Sequence, residues 1–345
     1  MGPRPLRIAI NGYGRIGRNV LRAWLERGCP SHLQFVAVND LGEPATLAHL
    51  TRYDSTHGRL HGAAELDGED LLLASRASET PHRVRLLREA APDRLPWSAL
   101  GVDVVLECTG QFRARAEAAR HLAAGAGKVI IGAAPFDEVD ATVVYGVNHD
   151  TVRAEHRVLS SVSCTTHALA PLVKILDGAY GIESALMTEI HAVTSDQVLL
   201  DHTHRDLRRG RAAGHNIIPT TSSSIGALKR VLPHMAGRVD GYSIRVPTLN
   251  VAAIDLSFVA REPLTVDGIN GLFREQAAGS YREILGYCED WLVSSDFNHL
   301  PQSLFFDATE TRVVGRQAKV LAWYDNEWGY ANRLLDLCGV LAGLH

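Results

Sequence analysis

One cysteine lies among residues whose types and order could carry out nucleophilic chemistry. Cys164 stands in the run Ser163-Cys164-Thr165-Thr166-His167, and the apolar residues that follow have helical spacing. Cys164 is therefore predicted to lie at or just before a helix N-terminus, where the helix dipole stabilises a thiolate and lowers the pKa of the thiol. The alternative is an unreactive buried cysteine, which is common for this residue type.

A thiolate nucleophile needs a base within hydrogen-bond reach. His191 lies in an alternating strand segment, residues 187–194, and the alternation places it on the same face as Glu189 and Val193. The chain has 16 histidines, so position alone does not single out His191 as the base.

A glycine-rich turn joins the first predicted strand (residues 6–10) to the first predicted helix (15–26). It reads Asn11-Gly12-Tyr13-Gly14-Arg15-Ile16-Gly17. In this context the first glycine permits a tight turn, the second lets the backbone approach a pyrophosphate, and the third allows close packing of helix on strand. Because the N–H groups of the helix N-terminus face an anion there, the turn predicts a dinucleotide site.

Asp40 ends the second predicted strand (33–38) and could accept hydrogen bonds from both hydroxyls of an adenosine ribose. A carboxylate there would repel a 2′-phosphate, which favours NAD over NADP. The alternative role for Asp40 is a turn or helix cap. Thr109 and Gly110 follow another predicted strand (102–106), and these small residues would let the backbone lie beside the cofactor. The alternative is an ordinary turn at the end of the strand.

The elements that position these residues change in character along the chain. Strands at 6–10, 33–38, 102–106, 128–131 and 143–145 alternate with helices at 15–26 and 114–124, which predicts crossover units and a Rossmann-type parallel sheet. Strands at 185–194, 242–246, 251–259, 313–314 and 319–324 have few helices between them, which predicts a mainly antiparallel sheet in an α+β domain. The polar segment 196–216 is predicted to be an ordered functional loop.

The fold class is therefore α/β with a second, α+β domain. We expect a cofactor domain at residues 1–163, completed by a C-terminal helix at 327–345, and a catalytic domain at 164–326. A chain of 345 residues is long enough for two such domains.

Composition narrows the range of partners. The net charge of -4 gives no basic footprint for nucleic acid or an anionic membrane, and no apolar run approaches the length of a membrane helix. The five cysteines are scattered, without metal-site spacing or a disulfide pattern. We expect a cytoplasmic protein with a small-molecule substrate and no metal.

Together these motifs resemble the glyceraldehyde-3-phosphate dehydrogenase superfamily over nearly the whole chain. The resemblance rests on the glycine-rich turn, Ser163-Cys164-Thr165-Thr166 and further segments in family order: Tyr53-Asp54-Ser55-Thr56-His57-Gly58, Asp206-Leu207-Arg208-Arg209, Asn216-Ile217-Ile218-Pro219, Arg245-Val246-Pro247 and Trp323-Tyr324-Asp325-Asn326-Glu327-Trp328-Gly329-Tyr330.

The resemblance implies a role for each matching residue. Cys164 is implied as nucleophile and His191 as its base, with NAD as cofactor. Thr194 and Arg245 would hold the substrate phosphate, Asn326 would orient the nicotinamide carboxamide, and Tyr330 would pack beside that ring. Attacking inorganic phosphate would contact Ser163, Thr165, Arg209 and Ser222. Residues 194–216 match a loop that reaches the cofactor of a neighbouring subunit, which implies a homotetramer.

Several segments are more similar to erythrose-4-phosphate dehydrogenases, among them Leu95-Pro96-Trp97, Val143-Val144-Tyr145-Gly146-Val147-Asn148, Arg153-Ala154-Glu155-His156-Arg157, Ile254-Asp255-Leu256-Ser257, Asp296-Phe297-Asn298-His299 and Thr311-Arg312-Val313. The expected reaction is then oxidation of D-erythrose 4-phosphate to 4-phosphoerythronate, a step towards pyridoxine compounds. Phosphorylating glyceraldehyde-3-phosphate dehydrogenase is the first alternative, and a catalytically weak binding or regulatory paralogue is the second.

The chain departs from the family pattern at three places. His167 and Ala168 replace an Asn-Cys pair, and Glu189 stands where threonine is usual. Ser222-Ser223-Ser224 lies where glycolytic enzymes have a Gly-Ala-Ala-Lys run. The last difference favours water over inorganic phosphate as the group that attacks the thioester.

Overall fold

The computed structural model describes residues 4–76 and 81–344, and the chain divides into two compact units. The first comprises the chain up to Val162 together with the segment from Ala331 onward. The second is the continuous segment Ser163–Tyr330. In the described part of the chain, no helix combines the length and the apolar character needed to cross a membrane.

The first unit is built on a nine-stranded sheet with the order β10-β11-β9-β8-β1-β2-β7-β6-β5. Its elements are β1 (Leu6–Asn11), α1 (Arg15–Glu26), β2 (Leu33–Asn39), α2 (Pro44–Arg52), β3 (Tyr53–Asp54), β4 (Gly58–Arg59), β5 (Gly62–Asp67), β6 (Asp70–Ser75), β7 (His82–Leu87), β8 (Val104–Glu107), α3 (Arg115–Ala118), α4 (Arg120–Ala123), β9 (Lys128–Ile131), β10 (Ala141–Thr142) and β11 (Val158–Ser160). The β3–β4 pair stands apart from this sheet.

The predicted parallel sheet is confirmed, because β1 pairs in parallel with β2 and β8, and β9 pairs in parallel with β8 and β11. Ile8, Ala9 and Ile10 in the central strand β1 are fully buried, as expected for a strand covered on both faces. The antiparallel strands β5 and β6 extend the sheet at one edge.

One predicted strand of this unit does not form, and one predicted helix is interrupted. No strand forms at residues 143–145, because the side chain of Asn148 accepts from Val144 N at 2.8 Å and donates to Thr142 O at 2.9 Å, which turns the backbone. The predicted helix 114–124 is divided into α3 and α4.

The second unit holds a seven-stranded sheet with the order β13-β14-β12-β15-β18-β17-β16. Its elements are α5 (Cys164–Tyr180), β12 (Ile182–Ala192), β13 (Ile218–Thr220), α6 (Ser224–Val231), β14 (Val239–Val246), β15 (Ala252–Ala260), α7 (Val266–Ala278), β16 (Leu285–Cys288), β17 (Leu304–Val314) and β18 (Gln317–Tyr324), and α8 (Trp328–Gly343) closes the chain. The sheet is mainly antiparallel, as predicted, although β12 pairs with β14 and β16 with β17 in parallel.

Helix α8 completes the first unit with its last turns. Leu334, Leu335 and Leu341 are almost fully buried. At the end of α1, Arg27 donates from Nε to Asn332 Oδ1 at 2.8 Å and forms an ion pair with Asp336 at 2.7 Å. The chain's final helix therefore packs against its first.

Candidate active site

Cys164 is the first residue of α5, which confirms its predicted place at a helix N-terminus. Ser163 caps this helix, because its Oγ accepts a hydrogen bond from Thr166 N at 3.2 Å. The apolar residues of α5, including Leu169 and Leu172, are fully buried. They anchor the helix within its unit and hold the cysteine at the helix end.

His191 is close to the sulfur of Cys164. The distance from Cys164 Sγ to His191 Nε2 is 3.6 Å, and His191 Nδ1 lies 2.7 Å from Ala192 O. A carbonyl oxygen can only accept, so Nδ1 carries the ring proton and Nε2 directs its lone pair to the sulfur. This arrangement is the one that the predicted base would need, and the catalytic role of His191 stays a prediction.

The pKa of the Cys164 thiol does not follow the sequence-based expectation. Burial, followed by the negative charge of Glu189, raises it to about 12. Burial, followed by the positive charge of Arg245, lowers the pKa of His191 to about 4. The predicted lowering of the cysteine pKa is wrong for this structure, because burial is the largest influence on the thiol and it disfavours the charged form. Burial therefore favours the uncharged thiol and the uncharged imidazole over the ion pair.

Glu189 and Arg245 flank His191. Glu189 Oε1 lies 3.9 Å from His191 Nε2 and 3.9 Å from Arg245 Nη1. Glu189 and His191 are each 3% exposed and share one face of β12, as the alternation predicted. In the parallel pairing of β12 with β14, His191 stands opposite Arg245. The residue implied to bind a phosphate group is therefore a direct neighbour of the base.

Tyr324 is a site residue that the sequence did not reveal. Its hydroxyl lies 2.8 Å from Thr165 Oγ1, and its ring centroid is 6.1 Å from that of His191. In the sheet, Ala252 pairs with both His191 and Tyr324. The tyrosine reaches the site only through this strand register, which the sequence pattern does not specify.

The remaining residues implied to bind phosphate are held by other partners. Arg209 donates to Thr220 Oγ1 at 2.8 Å and pairs with Asp196 at 2.7 Å. Ser222 Oγ lies 2.6 Å from the hydroxyl of Ser224, and Thr194 N donates to Gln197 Oε1 at 3.2 Å. Within the described residues, none of these three is hydrogen-bonded to Cys164 or His191, so their phosphate roles stay predictions.

Asn326 lies two residues before α8, and Tyr330 lies in the first turn of that helix. Asn326 Oδ1 is buried and has no hydrogen-bond partner in the part of the chain that the structure describes. A buried acceptor of this kind suits an amide donor from a ligand. The ring of Tyr330 packs edge-on against His167, with centroids 5.7 Å apart. Tyr330 therefore contacts the residue that replaces the usual asparagine after the nucleophile.

The glycine-rich turn has the geometry of a phosphate cradle. Gly12 has φ +91°, and a Cβ there would lie 2.6 Å from Thr109 N. A Cβ on Gly17 would lie 2.2 Å from Gly12 O, whereas Gly14 has nothing within 4 Å. The tight turn at Gly12 and the close packing at Gly17 are therefore confirmed. Because no side chain caps α1 and the space at Gly14 is open, the turn fits a pyrophosphate.

Asp40 ties this turn to β2. Its Oδ2 accepts from Tyr13 N at 2.7 Å and its Oδ1 accepts from Gly42 N at 2.9 Å. These bonds match the turn-cap alternative, and each carboxylate oxygen keeps a second lone pair for a ribose hydroxyl. Arg15 in the same turn pairs with the carboxylate of Asp54, and Ile16 enters α1 beside it.

A buried hydrogen-bond network that the sequence pattern does not reveal lies beside the glycine-rich turn and holds its residues in place. Glu107 Oε2 receives Asn11 Nδ2 at 2.6 Å and lies 3.0 Å from His121 Nε2. Glu107 Oε1 accepts from Thr109 N at 2.8 Å, next to Gly110, whose φ is +72°. His121 in turn accepts from Trp97 Nε1 at 3.0 Å. The carboxylate therefore fixes Asn11 and Thr109, two of the predicted cofactor residues.

Among residues 4–76 and 81–344, no group of three or more histidine, cysteine, aspartate or glutamate side chains could hold a metal ion. The cysteines in this part of the chain are free thiols.

Comparison with known proteins accounts for both units. Residues 6–115 match the family model described as glyceraldehyde 3-phosphate dehydrogenase, NAD binding domain, and residues 163–326 match the C-terminal domain of the same enzyme. The plasmid-encoded and chromosomal glyceraldehyde-3-phosphate dehydrogenases of Cupriavidus necator are 52% and 51% identical to this chain. The glyceraldehyde-3-phosphate dehydrogenase of Pseudomonas aeruginosa is 50% identical, and each alignment covers 98% of both chains.

Proposed function

Because this chain belongs to the glyceraldehyde-3-phosphate dehydrogenase family and is an NAD-dependent dehydrogenase, we propose that its substrate is D-glyceraldehyde 3-phosphate and that inorganic phosphate releases the product. The observation that carries the chemistry is the 3.6 Å approach of His191 Nε2 to Cys164 Sγ. The names of relatives at 50–52% identity favour this substrate over D-erythrose 4-phosphate.

The first step is attack of Cys164 on the aldehyde carbon. The thiol proton moves to His191 Nε2, whose lone pair already faces the sulfur. The new oxygen is stabilised by His191 and by the positive end of the α5 dipole, at whose N-terminus Cys164 lies. Arg245, next to His191 in the sheet, provides a positive charge for the substrate phosphate.

Oxidation leaves a thioester on Cys164. When bound at the glycine-rich turn, NAD supplies the hydride acceptor for this step. His191 returns its proton to the new oxygen and removes it again as the carbon is oxidised. Inorganic phosphate then attacks the thioester carbon, the C–S bond breaks, and the sulfur regains its proton from His191. The product is an acyl phosphate.

The remaining assignments belong to the same proposal. Asp40 would bind the adenosine ribose, Asn326 the carboxamide, and Arg209 with Ser222 the attacking phosphate. A homotetramer in the cytoplasm is the expected working form.

A substrate panel tests the proposal. NADH formation is followed with D-glyceraldehyde 3-phosphate and D-erythrose 4-phosphate, each with and without inorganic phosphate. We expect kcat/KM to be higher for the three-carbon aldehyde and turnover to rise with phosphate. A preference for the four-carbon aldehyde that does not depend on phosphate would favour the erythrose alternative instead. No NADH from either aldehyde would indicate a binding paralogue.

Replacing the nucleophile tests the mechanism. Cys164→Ala removes the only atom that can form the thioester, so turnover should fall by at least about 10⁴-fold. NAD binding, measured by titration calorimetry, should be retained because the glycine-rich turn is intact. Cys288→Ala, at a buried cysteine of the same unit, is the control and should keep its activity. Turnover that survives in the Cys164 variant would refute the assignment.

A further inference from the structure

Two buried polar atoms on the adjacent strands β12 and β14 have no hydrogen-bond partner in the described part of the chain. They are Glu189 Oε2 and Ser243 Oγ. Glu189 is 3% exposed and Ser243 is fully buried. A buried polar atom without a hydrogen bond costs about 1–3 kcal/mol, so such atoms usually bind a water molecule or a ligand.

The two residues are neighbours across the sheet. Glu189 of β12 pairs with Ser243 of β14 in the parallel register that also pairs His191 with Arg245. Paired residues of adjacent strands point to the same face, about 4.8 Å apart along the hydrogen-bonding direction. The carboxylate accepts and the hydroxyl can donate or accept, which is the set of partners that one buried water molecule requires.

This pair faces the reaction centre. Glu189 Oε1 and Cys164 Sγ approach the same nitrogen, His191 Nε2, at 3.9 and 3.6 Å. The carboxylate and the sulfur therefore both lie at the Nε2 end of the imidazole ring. The Nδ1 side of the ring is occupied by Ala192 O. A water molecule bound by Glu189 would therefore lie near the Nε2 end of the ring, where Cys164 Sγ also lies.

Glu189 also counteracts the positive charge of Arg245. It raises the pKa of Cys164, after burial, and it lies 3.9 Å from Arg245 Nη1. A carboxylate in this position disfavours the thiolate, and it does not repel a neutral nucleophile. Water is such a nucleophile, whereas inorganic phosphate is anionic.

We propose that Glu189 and Ser243 hold a water molecule and that Glu189 accepts its proton as that water hydrolyses the Cys164 thioester. This gives the enzyme a hydrolytic branch beside release by phosphate. The inference rests on the proposed function, because it requires the thioester to form.

The hydrolytic step balances without any further reagent. The water oxygen bonds to the thioester carbon, and one of its protons passes to the Glu189 carboxylate. The C–S bond breaks, and the sulfur takes the proton that His191 Nε2 received during oxidation. The product is a phosphorylated carboxylic acid, whose remaining acidic proton is lost to solvent. No oxidation or reduction takes place in this step.

The test compares hydrolysis with release by phosphate in the same enzyme. Wild type is mixed with NAD and D-glyceraldehyde 3-phosphate in H₂¹⁸O, with and without inorganic phosphate. We expect a burst of one NADH per subunit, followed without phosphate by slower turnover that yields acid carrying one ¹⁸O. In Glu189→Gln the ratio of hydrolysis to phosphate-dependent release should fall about 100-fold, the size of a general-base contribution.

Two further variants sharpen the result. Ser243→Ala removes the second side chain that binds the proposed water molecule, so the ratio of hydrolysis to phosphate-dependent release should fall about tenfold. If Glu189→Gln does not fold, this variant alone tests the hydrolytic branch. Glu183→Gln is the matched control, because Glu183 lies on the same strand but is exposed and paired with Arg316. This control should leave both rates unchanged.

The outcomes separate the two proposals. Absence of the NADH burst in wild type contradicts the proposed function itself. A burst with no turnover in the absence of phosphate overturns only the hydrolytic branch. A ratio that is unchanged in both Glu189→Gln and Ser243→Ala also overturns it, because a charge effect on acylation alone would lower both rates together.

Discussion

The sulfur of Cys164 and the imidazole of His191 are each held in their neutral form by burial. The sequence identified the cysteine because its polar neighbours and the following helix are adjacent in the chain. The sequence pattern predicted a lowered pKa for the Cys164 thiol, whereas the pKa is raised. Desolvation depends on strands that pack around the helix end, and the local sequence does not specify them. Ser243 and Tyr324 were missed for the same reason, because only strand register brings them to the site.

Acid conditions should destabilise the fold through His191. Its pKa is about 4 when folded, against an unfolded value near 6.5, so below pH 6.5 the unfolded chain binds the proton first. Stability is therefore lost as the pH falls from about 6.5 to about 4, by about 2 kcal/mol at pH 5. His191→Gln should lose about this much less between pH 7 and pH 5, measured by urea titration.

His61→Gln serves as the control for that experiment, because His61 is exposed. It should follow wild type at both pH values. Equal acid sensitivity of wild type and the His191 variant would contradict the assigned cause.

At the scale of elements, helix and strand bounds were predicted correctly where neighbouring residues in the sequence determine them. The bounds of α1 and β9 match the prediction, since the glycine-rich turn and a short apolar run define them. The strand expected at residues 143–145 does not form, because the side chain of Asn148 makes hydrogen bonds with Val144 N and Thr142 O. In a strand, these backbone groups would pair with a neighbouring strand instead. The division between α3 and α4 has no clear signal in that alanine-rich stretch.

The glycine-rich turn allows its two functions to be separated by mutation. Gly12→Ala places a Cβ 2.6 Å from Thr109 N at φ +91°, so it should lower the free energy of unfolding by more than about 2 kcal/mol. Gly14→Ala meets no atom within 4 Å, so stability should change by less than about 0.5 kcal/mol. The added methyl group would nevertheless occupy the pyrophosphate space, and the Kd for NAD should rise at least about tenfold.

Thermal unfolding without NAD and calorimetric titration with NAD measure the two effects. Tight NAD binding by Gly14→Ala would show that the pyrophosphate does not approach this position.

At the scale of the whole molecule, the loop at residues 196–216 has apolar side chains that are exposed in the single chain. Leu199, Leu200 and Leu207 are 87%, 79% and 88% exposed. Exposed apolar groups clustered in one loop favour a protein partner. The predicted homotetramer would supply one. The polar sequence of this loop predicted a functional role, and the family resemblance alone pointed to a contact with a neighbouring subunit.

Light scattering after gel filtration tests the assembly. Four copies of the 37.6 kDa chain give about 150 kDa. Replacing Leu199, Leu200 and Leu207 together with serine should shift the mass towards the single chain. Val314→Ser, at an exposed position on the β17–β18 hairpin, should leave the mass unchanged. A wild-type mass of 37.6 kDa would contradict the tetramer.

The packing of α8 against α1 has a consequence for biosynthesis. Nascent domains generally fold in the order in which they leave the ribosome. Here the N-terminal unit lacks the partner of Arg27 and the buried leucines of α8 until the last residues have been translated. The second unit, Ser163–Tyr330, can therefore fold before the first unit is complete. A stop codon placed just before α8 would leave the first unit, although it is synthesised first, without the helix that completes its core.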